Sequence, residues 1–199
     1  GIGMVGTAGI AGVGIMWYFL RLYVPLNATV LWATIGIFLA GVALILFSIF
    51  VMGFAAGWTF LYPLPAKSAG VWEPRSAIVY LVGLLLVGVA FLLVYLDVGR
   101  ALLGTYGGLG RALGWPMLFG KSDEAPPPTV VAATAVMIVN TIGIVVGAAV
   151  IAISLVNLWL PSFDIDPLLA KNMIYFFGHV FINATIYMAV IAVYEIVPQ

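Results

Sequence analysis

Apolar residues run in five long stretches, roughly 2–20, 28–61, 77–96, 130–160 and 172–197, broken by shorter polar segments. None is short enough for a barrel strand, and each meets or exceeds the ~20 residues a spanning helix needs. A backbone in lipid has no water to bond, so a helix, which satisfies its own groups, is the predicted element for each stretch. The second and fourth stretches exceed what a bilayer requires, which predicts tilt or extension past the headgroups. The fold class read from this pattern is all-α, a polytopic transmembrane bundle of five spanning helices in a single domain. Glycines at Gly3, Gly6, Gly9 and Gly12 recur every third residue of the first stretch. They point to close helix packing, with approach of a flat cofactor as the other use of such a face.

Composition agrees with that pattern. Of 199 residues, 65% are hydrophobic and 7% charged, with a mean hydropathy of +1.25, so lipid must be the solvent for most of the chain. Membrane lipid is therefore the first predicted partner, in a multi-pass integral membrane protein. Zero net charge gives no electrostatic case for nucleic acid, and the absence of cysteine excludes disulfides and thiolate metal sites.

Nearly all the charge lies between the stretches. With alternating helices one side collects Arg21, Arg100, Arg111 and Lys121, and the other Lys67, Arg75 and Lys171. The imbalance places the first side in the cytoplasm. The segment "GTYGGLGRALGWPMLFGKSDEAPPP" reads as an irregular loop with a short interfacial helix. Its glycines follow no strand, so it is not a nucleotide-binding turn. The start lacks the basic residues and cleavage pattern of a signal peptide. The chain opens on Gly1 inside an apolar run and stops at Gln199 just after another, and a segment of a longer protein is the expectation.

Candidate chemistry concentrates in the last stretch, which holds the only histidine, His179. Counted along a helix, His179 lies roughly 12 Å below one membrane surface. Ionisable groups at such depth usually face a bundle interior and often mark function. The alternative is a buried histidine bonded to a neighbouring carbonyl. Asn183, Tyr187 and Tyr194 fall within roughly 80° of His179 on a helical wheel. This polar stripe fits a polar core or a proton path. A transporter or channel would be favoured by an internal repeat or paired broken helices, and neither is visible.

The segment "IDPLLAKNMIYFFGHVFINATIYMAVIAVYEIVPQ" resembles the sixth transmembrane helix of haem-copper oxidase subunit I, especially the B-type branch. The shared features are Asp166-Pro167-Leu168, Phe176-Phe177, Gly178-His179, and Tyr194 ahead of Val197-Pro198. Upstream, "GWTFLYPLP" at 57–65 resembles the family's Gly-Trp-Thr-Phe-Tyr-Pro-Pro-Leu motif, which closes the third helix near the haem propionates. The order and spacing of the stretches fit helices two to six of that subunit, which has twelve or more.

The resemblance implies roles residue by residue. His179 would be one ligand of the copper centre, CuB. Gly1 would be the glycine following a low-spin haem ligand, and Trp58 and Thr59 would lie beside the haem. Tyr187 and Tyr194 would line a proton-conducting channel from the cytoplasmic side. The implied cofactors are a low-spin and a high-spin haem and copper, with most ligands elsewhere in the subunit, so this segment alone is expected to bind no haem and catalyse nothing. The implied partners are oxidase subunit II, or an equivalent electron-entry subunit, and cytochrome c or a similar donor. The implied location is a prokaryotic plasma membrane. The implied activity is reduction of O2 to water coupled to proton translocation.

Two departures qualify this. Oxygen-reducing members of the A and B branches carry a redox-active tyrosine four residues after the ligand, where this chain has Asn183 at the catalytic position. An amide supplies neither an electron nor a proton at neutral pH. Members without that tyrosine include nitric oxide reductases, which form the alternative reading, while C-branch oxidases bring a tyrosine from the seventh helix. In "TFLYPL", Leu61-Tyr62 replaces the usual Tyr-Pro, so the propionate contact expected at this position is in doubt.

Overall fold

A computed structural model describes residues 6–55, 57, 62–63, 66–122 and 124–197. Among the described residues seven helices follow one another: α1 (Thr7–Leu20), α2 (Ala28–Phe50), α3 (Pro74–Tyr106), α4 (Leu109–Ala112), α5 (Trp115–Leu118), α6 (Pro128–Trp159) and α7 (Pro167–Ile196). Among the described residues there is no strand. Among the described residues four helices, α2, α3, α6 and α7, are long and apolar enough to cross a membrane. The described part of α1 has 14 residues, short of a span, and the expected start of that helix at 2–5 lies outside the described residues.

Helix ends follow local chemistry more than hydropathy. Pro74, Pro128 and Pro167 each open a helix, where a missing N–H costs nothing. At α7, Asp166 Oδ1 also accepts the backbone N–H of Leu169 at 2.8 Å and caps the first turn. The second apolar stretch was expected to stay helical to 61, but α2 stops at Phe50. Gly53 takes a left-handed φ of +71° and turns the chain away. The third stretch was expected over 77–96, but α3 runs to Tyr106 and carries Asp97 and Arg100 inside it. Charge lowers hydropathy without breaking a helix, and a left-handed Gly107 follows the end of α3.

The chain divides into two compact units. One comprises Ala33–Leu92 and Ile142–His179. In it α2 turns Thr34, Phe38, Gly41, Ile45 and Ser48 inward. Phe38 meets Phe91 edge-on at 6.0 Å, and Ser48 Oγ donates to the Ser76 carbonyl at 2.6 Å. Gly41 and Gly83 let α2 and α3 touch backbone to backbone: a Cβ on Gly41 would sit 2.7 Å from the Gly83 carbonyl oxygen. Gly147 of α6 packs in the same way against the Phe177 ring of α7. After α2 ends, Phe54 stacks on Tyr80 at 4.2 Å and meets Trp72 edge-on, so it stays buried without being helical.

The other unit comprises the described parts of Ile2–Trp32, Leu93–Thr141 and Val180–Gln199. Its core includes Val13, Met16, Leu20, Val94, Tyr95, Val98, Leu102, Val130, Met188 and Ile191. Gly12 admits Met188, whose side chain would lie 3.1 Å from a Cβ there. Exposed Trp32, Phe119 and Ile196 at its surface fit a chain whose solvent is lipid.

Candidate functional site

Helix α7 builds the candidate site from the spacing of its residues. Ile174, Gly178, Phe181, Ala184, Thr185, Met188 and Ile191 are buried, so the packed face recurs every three or four residues. Thr185 has its hydroxyl satisfied by the Phe181 carbonyl at 2.7 Å, the cheapest way to hold a hydroxyl in an apolar helix. His179, Asn183, Tyr187 and Tyr194 are all exposed. The predicted stripe is therefore present on the helix, and it is turned away from the face that packs.

His179 makes one recorded ring contact, with Tyr175 one turn earlier at 6.1 Å and a 45° tilt. Lys171, a further turn back, places Nζ 5.9 Å from the Tyr175 ring. The imidazole is not buried against a carbonyl, which answers the bland alternative. Its nitrogens are open to an external partner. Among the described residues no group of three His, Cys, Asp or Glu is arranged to hold a metal ion. His179 supplies the chain's one imidazole, exposed on α7. Gly1, Trp58 and Thr59, the expected haem neighbours, lie outside the described residues.

Tyr62, the sixth residue of the 57–65 motif, is buried. Burial first, then the Asp164 carboxylate, pushes its hydroxyl up to about 12. In return the Tyr62 hydroxyl and the Ile165 backbone N–H hold the Asp164 carboxyl below its ordinary value.

Three polar groupings escaped the sequence reading. Glu195, the last carboxylate of α7, accepts the Tyr23 hydroxyl at 3.0 and 3.2 Å on its two oxygens and also accepts the Thr129 hydroxyl. Asp97 accepts the Asn27 backbone N–H at 2.8 Å and pairs with Arg100 at 2.8 Å, tying the turn before α2 to α3. Asn140 Nδ2 donates to the Tyr95 hydroxyl at 2.8 Å, and that hydroxyl faces Met188 Sδ at 3.6 Å, all buried. The isolated Asn140 inside an apolar run was the only sequence signal for the last of these. The partners of Glu195 and the Asn27 contact of Asp97 lie far away in the chain, and only the i,i+3 spacing of Asp97 and Arg100 is a local signal.

No curated protein and no solved structure matches the chain. The family model described as Cytochrome C and Quinol oxidase polypeptide I matches residues 1–199, the whole chain. That match covers the whole chain, and four helices among the described residues are long and apolar enough to cross a membrane, so the chain belongs to that family, the subunit I of haem-copper oxidases, and is an integral membrane protein.

Proposed function

We propose that this chain is part of the catalytic subunit of a respiratory terminal oxidase that reduces O2 to water and moves protons. The electrons would come from cytochrome c or a similar donor by way of subunit II, in a prokaryotic plasma membrane. The carrying observation is the exposed imidazole of His179 on a helix that buries its other face. A neutral imidazole is a good copper ligand, and the remaining ligands would come from elsewhere in the subunit. When bound, the copper and the high-spin haem would supply the redox chemistry. The chain's own part is to hold one imidazole at a fixed height on α7 and to line the approach with Asn183, Tyr187 and Tyr194.

Asn183 favours a second reading, nitric oxide reduction on the same scaffold. Joining two NO molecules takes two electrons, which metals can supply without a radical side chain, whereas cleaving O2 takes four. Oxygen reduction stays ahead because a tyrosine from another helix can serve. The test is steady-state consumption of each gas by the intact enzyme, together with metal analysis of His179→Ala. Oxygen reduction predicts rapid O2 uptake by wild type and loss of copper from the variant with the low-spin haem spectrum kept. Rapid N2O production with negligible O2 uptake would reverse the substrate, and full copper in the variant would remove His179 from the site.

A further inference from the structure

The segment between α3 and α6 holds a cleft of about 690 Å3. Its walls include Tyr106, Arg111, Lys121, Ser122 and Glu124. Both cations are exposed, and among the described residues neither forms an ion pair. Asp123 lies between Ser122 and Glu124 in the chain and outside the described residues. Three glycines with positive φ, Gly107, Gly114 and Gly120, turn the backbone around this cleft. They set α4 and α5 between the ends of two spanning helices. Helix α5 and the residue after it carry Trp115, Met117, Leu118 and Phe119, each about half exposed or more. Four large apolar side chains on the connection between two membrane-length helices suit the interface, where the apolar ones enter the acyl region and tryptophan sits at headgroup level.

The lining carries both signs of charge within one cleft at that level. We propose that it binds the headgroup of phosphatidylethanolamine. Arg111 and Lys121 would receive the phosphate, and the Glu124 carboxylate would accept hydrogen bonds from the primary ammonium. The apolar wedge would lie along the acyl chains. Charge complementarity selects this lipid among common ones. Phosphatidylglycerol offers Glu124 only neutral hydroxyls and no ammonium charge, and the quaternary ammonium of phosphatidylcholine has no N–H to donate.

The test is native mass spectrometry of the intact, detergent-purified enzyme titrated with phosphatidylethanolamine, phosphatidylglycerol or phosphatidylcholine of the same acyl chains. Wild type should retain phosphatidylethanolamine roughly twofold to fivefold better than phosphatidylcholine, the worth of an exposed charge pair. Glu124→Gln should erase that preference. Arg111→Ala with Lys121→Ala should weaken all three lipids by roughly tenfold. Leu118→Ser with Phe119→Ser should weaken all three equally and leave the preference intact. Equal retention of the three lipids by wild type would overturn the proposal. So would tighter phosphatidylglycerol binding that Glu124→Gln leaves unchanged, since that describes a general anionic site.

Discussion

At the scale of single residues, the carboxylate of Glu195 gathers hydroxyls from two other parts of the chain. A charge at the end of a spanning helix would ordinarily reach outward to the headgroups. Here Tyr23, from the turn after α1, and Thr129, from the first turn of α6, both donate to it. Burial, followed by the hydrogen bond and charge of Glu195, raises the Tyr23 hydroxyl above its ordinary 10.0. The folded state thus holds this proton more tightly than the unfolded chain. Its contribution to stability is complete below pH 10 and is lost as pH rises through the raised value. Thermal unfolding of the intact protein in detergent should therefore weaken more steeply above pH 10 in wild type than in Tyr23→Phe, which has no proton to lose. Parallel pH curves for the two proteins would show that this contact does not couple to folding. Sequence reading could place Glu195 at a helix end, but not its partners, because Tyr23 lies 172 residues away along the chain.

At the scale of helices, the elements themselves were legible, since stretches of ~20 apolar residues leave a backbone in lipid little choice. Their ends were not. Hydropathy stays high past Phe50 because Val51, Met52 and Phe54 are apolar, yet Phe54 is buried on Tyr80 and Trp72 from a non-helical segment. Apolar character reported burial there, not helix. Gly53 was the usable signal, as a left-handed residue shortly after a helix end. Helix contacts were equally hidden. The regular glycines of the first stretch suggested close packing, and Gly12 does receive Met188, but a closer, backbone-to-backbone crossing lies between Gly41 and Gly83. Gly41→Ala would push its new methyl into the Gly83 carbonyl, a rigid backbone group, and should destabilise by about 1–3 kcal/mol. Gly36→Ala on the same helix meets nothing within 4 Å. It should be neutral or stabilising by up to about 1 kcal/mol, since alanine is the better helix former. Matched denaturation curves of the two variants check the contrast, and equal losses would contradict a specific α2–α3 crossing.

At the scale of the whole molecule, the polar face of α7 is the feature on which the proposed activity rests. Its residues were legible because helical spacing alone groups His179, Asn183, Tyr187 and Tyr194. That the face stays open could not be read from spacing, since it depends on which side Ile174, Phe181 and Met188 bury. Tyr187 and Tyr194 are 59% and 43% exposed, so neither hydroxyl is consumed inside the packed face. Glu195, adjacent to Tyr194, is already bonded to Tyr23 and Thr129. Among the described residues at that end of α7, Tyr194 carries an exposed hydroxyl. Two roles compete for it. An interfacial anchor uses the ring, and a proton relay uses the hydroxyl. Tyr194→Phe keeps the one and removes the other. If protons reach the reacting centre along this face, the intact variant should keep its haem spectra and copper content while turnover falls by about tenfold or more. Turnover equal to wild type would assign Tyr194 to anchoring and move the proton route to another face of the bundle.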